Sequence, residues 1–420
     1  NATMVDADGL LKWRPHNLMT SSGDLTGADW DWSGGLIVGT VTTGSPFGTH
    51  QTISPRSNSN ALAAAQKYQI GKSITSGSTY VGWALVKYSA GSGWFAVNMY
   101  DTGKGSQQAY FDLQNGVVGS KNALIIDHGM IDYGDGWWLC WASSNATSVS
   151  GGLSLEVPSA DDVLSCNTAD VLLIAGAQFN RSDLGGMVNN PDTANSYVPT
   201  TTTPVYAPRR GHHIYNGSAW VNGGILHESE ARTNLIKYSN TAAQWAASGT
   251  TLTADSSTGP DGLTSMVEVA ETATTAAHYF NTVATFAPAT NQSYTLSAYV
   301  KKRGSTQYVQ LLWNGTYNPL GYATFDLDAG TLAGTGSTLS TSITDVGGGV
   351  YRVSMTTTTT STNPAQAILA TPNAATGRAP SFAGNTANGF YVYGVQVEQA
   401  STPSSYIPTN AGATVTRAAE

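Results

Sequence analysis

The chain has 420 residues, of which 40% are hydrophobic and only 11% are charged, and its formal net charge is −8. This length predicts two domains, and the sparse acidic charge, with no basic cluster larger than Lys301-Lys302-Arg303, excludes a nucleic-acid-binding protein. Apolar runs such as Val171 to Ala177 are far too short to cross a bilayer, which excludes membrane insertion. The abundance of Gly, Thr and aromatic residues predicts an all-β protein.

Residues 1–16 form a predicted lead-in segment. Its motif Asp6-Ala7-Asp8-Gly9 is typical of a turn, because the downstream ligands of a calcium loop are missing. The chain begins at Asn1 rather than at a methionine, so we expect further sequence upstream.

The rest of the chain carries one pattern twice. Ser293 to Lys301 alternates apolar and polar residues, which predicts a strand with one face on a core and the other in water. Thr79 to Lys87 is an earlier copy, and 31 positions separate Tyr80 from Phe111 and also Tyr294 from Phe325. Matched motifs at equal spacing indicate an internal duplication.

The duplication predicts β-sandwich domains at 17–200 and 233–420, joined by a linker at 201–232. Asn17-Leu18 opens the first copy and Asn234-Leu235 opens the second. In the linker, Ile214 to Val221 predicts a hairpin, because Asn-Gly supplies the positive-φ residues of a tight turn. Many short strands punctuated by Gly, Asn and Pro favour two tandem antiparallel sandwiches of the jelly-roll type.

The second copy also resembles a known domain. The motifs that carry the resemblance are Ala231-Arg232-Thr233-Asn234-Leu235, Tyr299-Val300-Lys301, Phe325-Asp326-Leu327-Asp328-Ala329-Gly330-Thr331, Gly394-Val395-Gln396-Val397-Glu398, Ser405-Tyr406-Ile407-Pro408-Thr409 and Val415-Thr416-Arg417. They resemble the concanavalin A-like or carbohydrate-binding-module jelly roll of tailed-phage tail fibres, head fibres and gene-transfer-agent head spikes. The opening Gly9 to Leu18 is similar to the lead-in of the same family.

The resemblance implies a virion-displayed adhesin that binds host cell-surface polysaccharide outside the cell. It also implies contacts with other virion proteins and a homo-oligomer, and it is compatible with a structural Ca²⁺ ion to which no ligands are assigned; no other cofactor is expected. The first copy departs from the family pattern, with Leu85 in place of Tyr299 and Trp138-Leu139 in place of Tyr351-Arg352. Which copy binds sugar is therefore left open.

Sugar-binding candidates come from one predicted sheet face and from loop aromatics. Alternation places five polar or aromatic residues of the second copy on one face: Tyr299, Lys301, Arg352, Gln396 and Glu398. The alternative is that they form a buried, hydrogen-bonded structural ladder. Trp313 and Tyr317 predict an exposed aromatic turn, and Trp94 is the counterpart in the first copy. Trp30, Trp32 and Trp245 are expected in the cores.

An enzyme is not expected. The seven His residues show no metal-binding spacing, no Gly-x-Ser-x-Gly nucleophile motif occurs, and Cys140 has no evident His partner. Two hypotheses stand beside the adhesin: a purely structural fibre or decoration protein, and a polysaccharide depolymerase, since two carboxylates brought together in space would suffice for glycoside hydrolysis.

Overall fold

The computed structural model describes residues 2–56, 65–184, 197–282, 285–314, 319–409 and 412–420. Contacts divide the chain into two compact units, which we call the first sandwich (14–207) and the second sandwich (1–13 with 208–420). The second sandwich thus adds most of the predicted lead-in and most of the predicted linker to the second copy of the repeat.

Strands alone build the first sandwich. The lead-in strands, which belong to the second sandwich, are β1 (Thr3–Val5) and β2 (Leu11–Trp13). The strands of the first sandwich are β3 (His16–Asn17), β4 (Asp31–Ser33), β5 (Leu36–Val38), β6 (Thr42–Ser45), β7 (Gly48–Pro55), β8 (Ala65–Ser73), β9 (Thr79–Ala90), β10 (Trp94–Asp101), β11 (Gln108–Asp112), β12 (Val117–Lys121), β13 (Asp127–Asp132), β14 (Trp137–Asn145), β15 (Ser150–Val157), β16 (Val171–Arg181) and β17 (Val205–Tyr206).

Strands also dominate the rest of the second sandwich. They are β18 (Arg209–Arg210), β19 (His213–Tyr215), β20 (Trp220–Asn222), β21 (Ile225–Leu226), β22 (Arg232–Asn234), β23 (Trp245–Ser248), β24 (Thr250–Thr258), β25 (Thr264–Glu271), β26 (Thr275–Ala276), β27 (Tyr279–Thr282), β28 (Ser293–Arg303), β29 (Tyr308–Trp313), β30 (Tyr322–Asp326), β31 (Thr331–Gly336), β32 (Ser340–Asp345), β33 (Val350–Thr358), β34 (Ala367–Ala370), β35 (Phe382–Ala383), β36 (Gly389–Glu398) and β37 (Val415–Arg417). Within the described ranges the only helix is the 3₁₀ turn Ala242–Gln244, and no helix is long and apolar enough to span a membrane.

Each unit pairs two antiparallel sheets. The first sandwich has the orders β12-β11-β10-β15-β8-β4 and β13-β14-β9-β16-β7-β5, with β6 beside β7. The second has β23-β27-β34-β29-β30-β31 and β24-β25-β36-β28-β33-β32. The prediction of an all-β chain with two tandem antiparallel sandwiches is confirmed. The predicted hairpin is also present, because Tyr215 pairs with Trp220 around the Asn-Gly turn.

The duplication extends to individual hydrogen bonds. The amide of Asn17 donates to the carbonyls of Ala177 and Val198, both at 3.0 Å, and the amide of Asn234 donates to Val395 and Ile407 at 3.4 and 3.0 Å. In both copies the Asn side-chain oxygen accepts the backbone N–H of the residue two positions later. It also accepts a second backbone N–H, from Phe179 of β16 in the first copy and from Val397 of β36 in the second. Each sandwich therefore contains the same buried hydrogen-bond network around its own asparagine.

The central strand β28 shows why one predicted face is not in water. Tyr294, Leu296 and Val300 lie in the core, as alternation predicts. The opposite face is covered by residues 400–409 and by the lead-in, so that Thr295, Ser297 and Tyr299 are also buried. The prediction of a solvated outer face is wrong here, because segments distant in sequence fold over it.

Candidate functional site

A cavity of about 330 Å³ opens in the second sandwich, within the size range of small-molecule sites. We call it the Arg352 cavity. Its lining residues are Thr3, Met4, Val5, Gly9, Leu11, His212, His213, Ile214, Tyr215, Trp220, Leu226, Glu228, Pro260, Tyr299, Ser342, Thr344, Asp345, Val346, Arg352, Pro403, Ser404, Ser405 and Tyr406. The lead-in and the β19–β20 hairpin thus add walls to the outer face of the β28–β33 sheet.

The hairpin supplies an aromatic wall. The rings of Tyr215 and Trp220 lie 5.3 Å apart, tilted by 52°, and both are half-buried. Trp220 packs against the turn at Gly9, where a Cβ atom would lie 2.0 Å from its indole nitrogen and where φ is +80°. Only glycine accommodates both the ring and this backbone conformation, so the lead-in turn fixes the position of the indole.

Tyrosine rings form the base of the cavity. Tyr299 lies 6.1 Å from Tyr393 and 6.3 Å from Tyr406, and the latter two are 5.4 Å apart, all in edge-to-face geometry. The hydroxyl of Tyr406 is 2.6 Å from Ser239 Oγ, a contact repeated by Tyr197 and Ser22 in the first sandwich. The base is therefore rigid and mainly apolar.

Arg352 brings a positive charge to this apolar base. Its guanidinium carbon lies 5.4 Å from the centre of the Tyr299 ring, and its Nη2 donates to the Ser404 carbonyl at 2.5 Å. In the described part of the chain its Nε has no hydrogen-bond partner. A guanidinium has five N–H donors; because the Nε–H of Arg352 is buried, only its terminal nitrogens can reach a ligand in the cavity.

Glu228 also lines the cavity and is held by two arginines and by Ser405. Its carboxylate is 2.7 Å from Arg209 Nη2 and 3.1 Å from Arg417 Nε, and it accepts from Ser405 N and Oγ, both at 2.7 Å. Burial alone raises the pKa of Glu228, but the Ser405 hydrogen bonds and Arg209 outweigh burial, so that the pKa lies below its ordinary value. The carboxylate stays ionised at neutral pH.

His212 fixes the lead-in strand to the cavity wall. Its Nδ1 accepts the backbone N–H of Val5 at 3.1 Å, which only an unprotonated Nδ1 can do. Burial, followed by the charges of Arg209 and His213, lowers the pKa of His212, although Glu228 acts in the opposite direction. The neutral imidazole is therefore the form that holds the lead-in strand through Val5.

Of the predicted site residues that the structure describes, Tyr299 and Arg352 line the cavity. Lys301 is partly exposed but does not line it. Gln396 and Glu398 are fully buried, so the prediction that they face solvent is wrong. Their side chains bind the covering segment, with Gln396 accepting Ile407 N at 2.7 Å and Glu398 accepting Ser404 N at 2.9 Å. This is the structural ladder that the sequence left as the alternative.

The predicted aromatic turn is not exposed at Trp313. The indole is 0% exposed, packs 5.8 Å from the Phe286 ring and donates to Thr357 Oγ1 at 2.8 Å. Trp313 ends β29 on the core side, which is the physical reason for this wrong prediction. Tyr317 lies outside the described residues. Trp94, at the start of β10 in the first sandwich, is partly exposed and stays a prediction.

The remaining tryptophans divide between core and surface. Trp30 and Trp245 lie in the two cores, as predicted. Trp32 does not, because it lies on the edge strand β4 with 56% of its surface exposed and the Arg56 guanidinium 6.0 Å from its ring centre. Large apolar rings are found on surfaces too, so size alone did not locate Trp32.

No protein-family model and no curated protein matches the chain. Among solved structures it is similar to the N-terminal CBM22-1–CBM22-2 tandem domain of Paenibacillus barcinonensis Xyn10C, with 14% identity, 93% of this chain and 99% of that chain covered, and a TM-score of 0.27. An exo-beta-agarase matches with 10% identity over 58% of this chain and 41% of that chain, at a TM-score of 0.24. Likenesses this distant carry no argument about ligand or activity.

The sequence predicts the hairpin, but not that the hairpin and the lead-in form walls of a cavity. Tyr215 and Trp220 were assigned to a linker, and Val5 and His212 were not singled out. The pattern Tyr-Asn-Gly-Ser-Ala-Trp could have indicated the aromatic wall, because a tight turn brings its two flanking rings together on one side of a hairpin.

The described residues present no cluster of three or more His, Cys, Asp or Glu side chains suited to a metal ion. The turn at residues 6–9 is closed by Asp6 itself, whose carboxylate accepts the N–H groups of Asp8 and Leu10 at 3.0 and 2.8 Å.

Proposed function

We propose that the second sandwich binds carbohydrate in the Arg352 cavity. The observation that carries the proposal is one concave site that combines half-buried Trp and Tyr rings with the partly exposed Arg352 guanidinium. Aromatic faces pack on the apolar C–H patches of sugar rings, while polar side chains bind the hydroxyls.

Each wall has a separate role in this proposal. Trp220 and Tyr215 stack on a sugar ring, Arg352 donates to hydroxyl or ring oxygens, and Ser342 and Thr344 on β32 supply further hydroxyls. Tyr299 supports the guanidinium from below, so that the donor geometry is set before ligand arrives.

The geometry favours binding over hydrolysis. A glycosidase needs one carboxyl group whose pKa is raised so that it can act as a general acid. Glu228 has a lowered pKa and its oxygens are occupied by Arg209, Arg417 and Ser405. The other lining carboxylate, Asp345, is exposed and accepts Gly347 N at 2.8 Å within its own turn. A lectin-like role is the better proposal.

The finer proposal is a virion-displayed adhesin that attaches to host cell-surface polysaccharide. Its support is the resemblance of residues 231–417 to phage fibre and head-spike domains. On a particle, other virion proteins hold the chain and homo-oligomeric copies act together, which raises the avidity of a weak single site. The purely structural fibre or decoration protein remains the alternative, favoured by the buried polar ladder at Gln396 and Glu398.

The test is an array of bacterial surface glycans, from monosaccharides to hexasaccharides, probed with the full chain. We expect Trp220→Ala and Arg352→Ala to lower affinity at least ten-fold. Trp32→Ala and Arg56→Ala are matched controls, because this Arg–Trp pair lies on the first sandwich. Unchanged binding by both cavity variants, with folding verified by thermal unfolding, would eliminate the site.

A further inference from the structure

A second depression adjoins the Arg352 cavity in the second sandwich. It has a volume of about 290 Å³, and His227, Arg232 and Thr402 are among the residues that line it. Glu228, Pro403 and Ser404 line both depressions. The two concave surfaces therefore lie side by side with this shared ridge between them.

The shared ridge is rigid. Ser404 donates from N and from Oγ to Glu398, at 2.9 and 2.5 Å, and its carbonyl accepts from Arg352. Glu228 is fixed by Ser405 and the two buried arginines described above. Because the polar groups of Ser404 and the Glu228 carboxylate are already bonded, the ridge does not have to reorganise when a ligand crosses it.

The two depressions differ in chemistry. Rings and aliphatic side chains dominate the Arg352 cavity. The second is polar: Arg232 Nη2 lies 2.6 Å from Glu230 Oε2, and Glu230 and His227 are exposed. The pair reaches the surface at Glu230, whose side chain is 68% exposed against 18% for Arg232, so the Glu230 carboxylate can turn to hydroxyl groups of a ligand at low cost.

We infer that the site takes an oligosaccharide, with one sugar ring stacked in the Arg352 cavity, the glycosidic linkage over Pro403–Ser404 and the next sugar in the depression at Arg232. This inference rests on the proposed function and specifies its ligand class. A monosaccharide occupies only the aromatic part, whereas a chain also gains the hydrogen bonds of the polar part. Affinity then rises with length until both depressions are filled and is constant beyond.

The experiment measures affinity of the full chain for the size-fractionated mono- to hexasaccharides of the same array. We expect at least a ten-fold gain between the monosaccharide and the shortest spanning fragment, followed by a plateau. Arg232→Ala and the exposed His227→Ala are expected to remove that gain while monosaccharide affinity is retained. Arg352→Ala is expected to weaken every length.

Two outcomes would overturn the inference, and each is distinct from failure of the proposed function. Equal affinity for all lengths shows that only one depression is used. A length-dependent gain that survives both Arg232→Ala and His227→Ala shows that the second sugar lies elsewhere. Failure of every glycan to bind instead removes the proposed function itself, and the inference with it.

Discussion

The two sandwiches share one skeleton but differ on the same sheet face. Leu85, Leu139 and Tyr197 of the first occupy the positions that Tyr299, Arg352 and Tyr406 have in the second. In the first, Phe47 fills the place of the cavity, 4.5 Å from the Tyr197 ring and 6.0 Å from both Trp83 and Tyr133. In the second, the lead-in and the hairpin stand around the opening of the Arg352 cavity.

This difference shows how a duplicated fold can bury a sheet face in one copy and leave it concave in the other. The first sandwich uses the face as an additional apolar cluster, in which Val81, Trp83, Leu85, Trp137 and Leu139 are buried. In the second, Thr295, Ser297, Tyr299 and Arg352 stand at the positions of Val81, Trp83, Leu85 and Leu139, and Val350 stands at that of Trp137. A concave space opens on this face. A wider, open depression of about 650 Å³ adjoins the Phe47 cluster and is lined by Gly44, Ser45, Pro46, Lys87, Tyr133, Asp135 and Trp137.

The shared skeleton can be broken at the buried asparagines. Asn17→Ala and Asn234→Ala each remove four hydrogen bonds and leave buried carbonyl and N–H groups unpaired. We expect each to destabilise its own sandwich by about 3 kcal/mol or more. Calorimetry should show the transition of one sandwich lowered in each variant. Asn222→Ala, in an exposed turn, is the control, and a similar loss there would contradict the assigned role.

Acid should affect the first sandwich through His16, whose equivalent in the second is Thr233. Burial lowers the pKa of His16 to about 4. Its Nε2 accepts Arg181 N at 2.9 Å, its Nδ1 donates to the Arg14 carbonyl at 2.8 Å, and the cationic side chains of both arginines oppose protonation. Because the folded pKa lies below the unfolded one, this stability is present above pH 6.5 and is lost as pH falls towards 4, by about 3 kcal/mol in total.

The measurement is the midpoint of chemical unfolding of the first sandwich between pH 7 and pH 4. His16→Thr installs the residue of the other sandwich and should flatten the dependence in this range while lowering stability at pH 7. A His16→Thr protein with the wild-type pH dependence would show that another group titrates.

Phe47→Ala sharpens the contrast between the filled and the open face. The substitution removes the half-buried ring and its contacts with Trp83, Tyr133 and Tyr197. We expect the free energy of unfolding of the first sandwich to fall by about 2 kcal/mol. The glycan affinity of the chain should not change. A gain of glycan binding by the variant would show that an opened face is sufficient, and would contradict the requirement for Arg352 and Trp220.

The smallest expected effect is the pH dependence of binding. Protonation of His212 removes the hydrogen bond that its Nδ1 accepts from Val5 N–H and loosens the lead-in wall. The hydrogen-bonded wall is therefore favoured above pH 6.5 and is lost as pH falls through the lowered pKa of His212. Arg209, His213 and Glu228 face the same ring. We expect affinity to fall a few-fold between pH 7 and pH 5. His212→Asn, whose side-chain oxygen still accepts the Val5 N–H, should remove the change, and an unaltered profile would exclude His212.

Local patterns account for what could be predicted and for what could not. Period-two alternation placed Tyr294, Leu296 and Val300 on the core, and repeat spacing predicted two sandwiches. The same alternation puts Trp313 on the core face with Val309 and Leu311. The prediction that Trp313 is exposed instead followed the turn residues that come after it in the sequence. The cover over the second face depends on segments far away in sequence, and strand patterns contain no information about such long-range placement.

The central claim is that sugar binds where the second sandwich is open and the first is filled. Fluorine NMR of the chain labelled with 5-fluorotryptophan, titrated with a glycan that binds the array, tests it most directly because each of the 11 tryptophans reports separately. The Trp220 resonance should shift on saturation, while those of Trp83 and Trp137 stay unchanged. A shift at Trp83, Trp137 or Trp32 with Trp220 unmoved would contradict the claim.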